Sequence, residues 1–227
     1  MSMMQMLLGA GRAPIDGGGS VRFDGSGDYI YVPADSDLDL SGDFTIEFFY
    51  KFHTAPNTYV VLINMSVNNT GSYSGETSLY YTSGGTWIST PSSVSGTVPE
   101  ADRMDWVHIA WTRSGSSSRL FINGSLVDTD TSSITMTTGY NWYMGDRPPS
   151  AVNGNYPING WVSNWRIIKG TALYTSSFTK PALPLEDVTN TKLLCCKSED
   201  SATAAVVSPT TIVAGGDATA SSDNPFT

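Results

Sequence analysis

Residues Asp43–Phe52 constrain the fold more than any other stretch of the sequence. Phe44, Ile46, Phe48, Tyr50 and Phe52 fall on one side of an extended chain, and Thr45, Glu47 and Lys51 on the other. A period of two held over so many residues predicts a half-buried β-strand. Similar runs recur along the chain. Ser20–Asp24 and Asp28–Pro33 flank a Gly-Ser-Gly turn, with Tyr29 and Tyr31 alternating against Ile30 and Val32. Thr58–Met65, Thr77–Tyr81, Thr86–Ser89, Asp105–Arg113, Ser118–Asn123, Tyr140–Gly145, Ile158–Ile168 and Thr191–Lys197 read as further strands. Asn123-Gly124 is a hairpin signal with a mechanism, since both residues tolerate positive φ. No long segment has a 3.6-residue period, and only Thr171–Tyr174 suggests a helical turn. Short strands separated by turns at near-regular intervals predict an all-β sandwich or barrel.

Composition then removes several functions. The 227 residues carry 12 Lys and Arg against 21 Asp and Glu, a formal charge of -9. Nucleic acid and anionic membranes attract basic patches, which this chain lacks. No apolar run reaches the roughly 18 residues that a membrane helix needs. Cys195 and Cys196 are adjacent and are read as reduced, at least one of them packed as a small hydrophobe.

Around Trp106 the order of motifs becomes specific. Asp105-Trp-Val-His-Ile-Ala-Trp-Thr-Arg113 and Arg119-Leu-Phe-Ile-Asn-Gly-Ser-Leu-Val127 resemble the central hairpin of laminin-G-like domains. Phe23-Asp-Gly-Ser-Gly-Asp-Tyr-Ile30 and Leu38–Glu47 are similar to the first strands of such domains, and Tyr143–Gly145 and Asn159–Arg166 to the late ones. The resemblance implies an all-β, concanavalin A-like jelly-roll sandwich of two antiparallel sheets. Arg166–Leu185 and Leu193-Leu-Cys-Cys196, with the tail ending Asn224-Pro-Phe226, resemble segments of laminin-G-like virion proteins of tailed bacteriophages. That second likeness implies a particle structural or decoration protein on the virion surface.

The chain divides by composition into an N-terminal arm (1–19), the sandwich (20–197) and a C-terminal extension (198–227), which is read as either a peripheral strand pair or an extended tail. Met3, Met4, Met6, Leu7 and Leu8 are too apolar to lie in water and too few to make a core. They are read as an assembly arm docking on sister subunits or other virion proteins.

Chemistry is sparse. The five glutamates are dispersed, without the close spacing of a strand-borne glycosidase pair, so no catalytic residue is assigned. His108, between Trp106 and Ala110, is read as a hydrogen-bonded strand residue. Asp35, Asp37 and Asp39 alternate as calcium ligands do, but Leu40 stands where a loop glycine belongs and no Glu closes the set. The stretch is read as a solvated turn. Ca²⁺ at the loops around Asp128, Asp130 and Asp146 stays open but unassigned, and no other cofactor is expected. Tyr140, Trp142, Tyr143 and Tyr156 lie in or beside Gly/Asn/Pro-rich turns. They are the candidates for facing a glycan or a protein partner. The leading expectation is therefore a non-enzymatic virion structural protein, forming homo-oligomers. The alternative is a carbohydrate-binding adhesion module, and a glycoside hydrolase ranks third.

Overall fold

A computed structural model describes residues 18–65, 76–147 and 156–227. The arm residues Met3, Met4, Met6, Leu7 and Leu8 lie outside the described residues. The strands are β1 (Ser20–Asp24), β2 (Tyr29–Val32), β3 (Phe44–Phe52), β4 (Val60–Met65), β5 (Thr77–Tyr81), β6 (Thr86–Thr90), β7 (Ser95–Thr97), β8 (Val107–Ser114), β9 (Ser117–Ile122), β10 (Ser125–Asp130), β11 (Trp142–Met144), β12 (Asn159–Lys169), β13 (Thr191–Cys195), β14 (Ala205–Val207), β15 (Val213–Gly215) and β16 (Thr219–Ser221). They form two antiparallel sheets, as the alternation predicts. The first runs β10-β9-β8-β3-β12-β1-β16, with β13 pairing β12 and β14 pairing β13; the second runs β15-β2-β11-β4-β5-β6-β7. No helix among the described residues is long and apolar enough to cross a membrane.

The core lies between the sheets. Phe44, Ile46, Phe48, Tyr50 and Phe52 of β3 all point into it, with Trp111, Trp142 and Trp165. Its aromatic centre is cross-linked: Trp87 Nε1 donates to Tyr50 Oη at 3.1 Å, and Phe44 meets Trp111 edge-on at 5.2 Å. The Trp87–Tyr50 bond offsets the lost hydration of a buried indole and phenol. Asn123 and Gly124 turn between β9 and β10 with φ of 49° and 81°. A Cβ on Gly124 would lie 2.2 Å from the Phe178 carbonyl oxygen, so glycine is required there for space as well as conformation.

Two expectations are corrected. β3 is buried on both faces: Thr45, Glu47 and Phe49 are as enclosed as the apolar set. The cover is the segment 170–190, which crosses the outer face of the first sheet. Residues 171–174 form no helical turn: strand hydroxyls tie their backbone to the first sheet. Thr45 Oγ1 donates to the Thr171 carbonyl and accepts from Leu173 N–H, and Thr112 Oγ1 donates to the Tyr174 carbonyl. The Tyr174 and Phe178 rings stack at 3.6 Å, and Phe178 stands edge-on to His108.

Residues 198–227, expected as a peripheral strand pair or an extended tail, add strands to both sheets. β14 continues the first sheet, β15 pairs β2 in the second, and β16 returns to pair β1 in the first. Phe226 then packs edge-on against Phe49 at 5.2 Å. Ala, Ser, Thr and Val supply little side chain for a core, but their backbones complete both sheets.

Candidate functional site

The first sheet's outer face is covered by 170–190 and the C-terminal residues; on the outer face of the second sheet Val61, Asn64 and Ser78 are buried, and Tyr29, Tyr31, Tyr80 and Tyr143 are half-buried. Its seven strands read VAG, YIYV, WYM, VVLINM, TSLYY, TWIST and SGT, without one Asp, Glu, Lys, Arg or His. The first sheet, by contrast, carries charge on most of its strands, such as SVRFD and FTIEFFYKF.

Register fixes which residues share that outer face. Ile30, Val32, Trp142 and Met144 point into the core, so Tyr29, Tyr31 and Tyr143 point outward by the pleat. Tyr143 lies opposite Tyr31 on one side and Asn64 on the other. Asn64 faces Ser78 across β5, and Val61 faces Tyr80. A bulge between Val61 and Ile63 returns Val61 to the face of Asn64. Three tyrosines form a half-buried platform: Tyr31 stacks on Tyr143 at 5.2 Å, and Tyr29 lies 5.9 Å from Tyr143.

Beside the platform is a groove of about 290 Å³ lined by Tyr59, Val61, Tyr80, Arg147 and Tyr156. Tyr59 is 56% exposed, so its ring is presented to solvent rather than packed away. The Tyr59 and Tyr80 rings are 6.1 Å apart. The Arg147 guanidinium lies 5.1 Å over the Tyr156 ring and donates through Nη2 to Glu76 Oε2 at 3.0 Å. Glu76 Oε2 also accepts from Asn64 Nδ2 at 3.3 Å, which links groove to platform. Asp146 Oδ1 accepts from the backbone N–H groups of Arg147 and Tyr156, and so fixes both groove residues. Burial pushes the Asp146 carboxyl up, against those two bonds and the Arg147 charge.

Of the sequence candidates, Tyr143 lies on the platform and Tyr156 in the groove. Tyr140 packs half-buried against the core, outside both. Trp142 is a correction: it is 1% exposed, and its Nε1 donates to the Leu38 carbonyl at 3.2 Å. It alternates with Tyr143, and only one of two neighbours on a strand can face outward. Sequence reasoning missed Tyr59, Tyr80, Asn64 and Arg147, and left Tyr29 and Tyr31 without a side. The alternation of Tyr29 and Tyr31 with Ile30 and Val32 was the available signal.

Two other polar clusters have structural explanations. Glu47 Oε1 accepts from Arg166 Nε and Nη2 at 2.9 and 2.6 Å, and Oε2 from His108 Nε2 and Tyr174 Oη at 3.0 and 3.1 Å. All of this is sealed under segment 170–190. Burial would raise the Glu47 carboxyl, but the His108 hydrogen bond and the Arg166 charge outweigh it and hold the group below its ordinary range. Because a carboxylate only accepts, His108 Nε2 carries the proton. Asp24, Asp28 and Asp217 bring carboxylate oxygens within 4.8 Å of one another, the geometry of a possible cation cluster. Both oxygens of buried Asp28, however, already accept backbone N–H groups, from Asp24 and from Asp217. The Asp35 stretch is a capped turn: Asp35 Oδ1 accepts from Asp37 N–H, and Asp39 Oδ1 from Gly139 N–H.

The sequence profile of the concanavalin A-like lectin/glucanases superfamily matches residues 24–173, more than half of the chain. No curated protein matches. Among solved structures, a candidate carbohydrate-binding protein from Bacteroides ovatus superposes with a TM-score of 0.64 at 14% identity, covering 91% of this chain and 60% of its own. The pentraxin of Limulus polyphemus superposes at 0.53 and 14% identity, over 91% of this chain and 95% of its own. The carbohydrate-binding domain CBM40 of a Ruminococcus gnavus sialidase, bound to α2,3-sialyllactose, superposes at 0.52 and 18% identity, over 69% and 91%. At these identities the likeness is one of fold.

Proposed function

The chain belongs to the concanavalin A-like lectin/glucanases superfamily, and from that premise we propose that it is a non-enzymatic carbohydrate-binding module. The groove of Tyr59, Val61, Tyr80, Arg147 and Tyr156 carries this reading. Aromatic rings stack on the C–H faces of sugars, and a few fixed polar groups set orientation, as in small-ligand sites generally. Two of the structural neighbours named above bear carbohydrate-binding descriptions, which agrees with the reading.

The engagement of the nearby acids supports binding rather than hydrolysis. Glu76 is tied to Arg147 and Asn64, and Asp146 holds two backbone amides. We assign both to scaffolding. A glycan array and affinity electrophoresis in polysaccharide gels test the function, with Tyr80→Ala as the groove variant. The expected result is retardation by at least one glycan, lost in Tyr80→Ala, with no release of reducing sugar. Failure of the wild-type chain to bind any glycan would overturn it.

We also propose display on a phage particle as the setting. It rests on the likeness of Arg166–Leu185 to virion segments and on the apolar residues Met3–Leu8. Deleting residues 1–12 tests it: the shortened chain should stay folded and lose particle or oligomer binding. Retained assembly would refute the arm.

A further inference from the structure

We propose that segment 170–190 is an acid-released strap: proton uptake by the buried Glu47–His108 pair lifts it from the outer face of the first sheet while the sandwich stays folded. Such a strap needs no glycan and stands apart from the carbohydrate reading above.

The segment can leave the sheet as a unit. It carries no strand or helix between β12 and β13. Residues 175–177, 182–183 and 186–190 are exposed, and its inward anchors are Tyr174, Phe178 and Leu185. Side chains of the sheet hold its backbone. Thr45 Oγ1 accepts from Leu173 N–H, Thr112 Oγ1 donates to the Tyr174 carbonyl, and Asn164 Oδ1 accepts from Leu185 N–H. Arg166 Nη1 donates to the Glu186 carbonyl at 2.6 Å, and Phe178 N–H to the Gly124 carbonyl at 2.8 Å. Beneath the segment, β3 pairs with β8 and β12 through their own backbone ladders. Lifting the strap breaks none of those ladder bonds. A segment with few buried apolar contacts opens at a lower free energy than the strands it covers.

The pair under it has no place for an added proton. The Glu47 and His108 side chains are both 0% exposed. Arg166, His108 and Tyr174 already fill the acceptor sites of the Glu47 carboxylate. A proton there would displace one of those donors and leave the Arg166 guanidinium without its counter-charge. A proton added to His108 would sit on Nδ1, which is buried with no partner among the described residues. Once the strap lifts, water satisfies either proton. The closed state therefore binds protons more weakly than the open one, and acid drives opening. Burial alone would raise the Glu47 carboxyl, but the His108 hydrogen bond and the Arg166 charge hold it below its ordinary value of 4.5. Stabilisation of the closed strap is thus complete above that value and fades as pH falls below it. Of the other elements packed on the pair, β9 presents the uncharged Phe121. The strap's Lys180 Nζ donates to the Trp106 carbonyl near Asp102 and Asp105, and Lys197 Nζ donates to the Leu185 carbonyl. Protonating Asp102 and Asp105 weakens their hold on Lys180, in the same direction. Glu186 and Asp187 are exposed.

The test is hydrogen exchange of the full chain by mass spectrometry between about pH 7 and about pH 3.5, corrected for the intrinsic pH dependence of exchange. Peptides covering 170–190 should lose about fivefold or more of their protection across that range, while those covering β3 and β8 keep theirs. Binding of a hydrophobic dye should rise as Phe49 and Phe121 are uncovered, and both changes should reverse on return to neutral pH. Glu47→Gln should leave the strap poorly protected at neutral pH, with little further response to acid. Tyr174→Phe keeps the stacked ring but removes one donor to the carboxylate, so its strap should open at a higher pH than wild type. Circular dichroism confirms that each variant folds. Loss of strap and sheet protection at one and the same pH overturns the strap, as does full strap protection at the acid end of the series. A wild-type acid response in Glu47→Gln, or an unshifted opening in Tyr174→Phe, overturns the role of the pair.

Discussion

Replacing Glu47 by glutamine tests the reading of the buried polar hub as structure rather than chemistry. The carboxylate accepts four donors on two oxygens: Arg166 Nε and Nη2 on one, His108 Nε2 and Tyr174 Oη on the other. An amide has one oxygen, so either orientation of the glutamine aims its NH₂ at two of those donors. The Arg166 side chain, 5% exposed, also loses its counter-charge. Breaking a buried ion pair by removing one partner costs about 3–5 kcal/mol. The orphaned donors are part of that same loss and are not added to it. Domains are stable by about 5–15 kcal/mol in total, and each kcal/mol moves Tm by about 2–4 °C at this size. The expected fall is therefore about 6–20 °C.

Urea denaturation followed by tryptophan fluorescence measures the free energy, and circular dichroism the Tm. A pH series adds an independent sign. The folded Glu47 carboxyl lies below its ordinary value of 4.5. Its stabilisation is then complete above the unfolded value and is lost as pH falls through the folded one. Wild type should lose this contribution below about pH 4.5, and Glu47→Gln should show a shallower acid limb. Glycan affinity per folded molecule should not change, since the hub lies under the opposite face. A cost below about 1 kcal/mol, or identical acid limbs, would refute the reasoning.

Three further outcomes follow from particular contacts. Trp142→Ala should cost about 3–5 kcal/mol in urea denaturation, whereas Tyr143→Ala, one residue along and half-exposed, should cost no more than about 1.5 kcal/mol. Asp28→Asn should cost about 1–3 kcal/mol in urea denaturation, by turning an amide NH₂ toward the backbone donor of Asp24 or Asp217. Removing residues 210–227 should lower Tm and raise binding of a hydrophobic dye, since it uncovers Phe49 and unpairs β1 and β2 along one edge each.

The sandwich was legible because its evidence in sequence is local: alternation marks each strand, and Asn123-Gly124 marks a turn by conformational tolerance. What lies over a strand is not local. Thr45 and Glu47 look solvated in sequence, and only the docking of Tyr174 and Phe178 from more than a hundred residues away buries them. The C-terminal strands pair through backbone groups, which composition does not record. At the site, pleat parity assigned one of Trp142 and Tyr143 to the face without saying which. The groove itself depends on the bulge between Val61 and Ile63, which sets Val61 and Tyr80 beside Asn64, and no residue type there announces it.

The return of the C-terminal residues to β1 has a consequence for biosynthesis. Ser20 Oγ donates to the Asp223 carbonyl, a contact spanning 203 residues. At about 5–20 residues per second, a ribosome delivers that partner roughly 10–40 s after Ser20. Even after β12 and β11 have emerged to pair β1 and β2, one flank of each strand waits for β16 and β15. A chain cut before residue 213 would leave β1 and β2 as exposed template edges, the kind of surface on which strands from other molecules add.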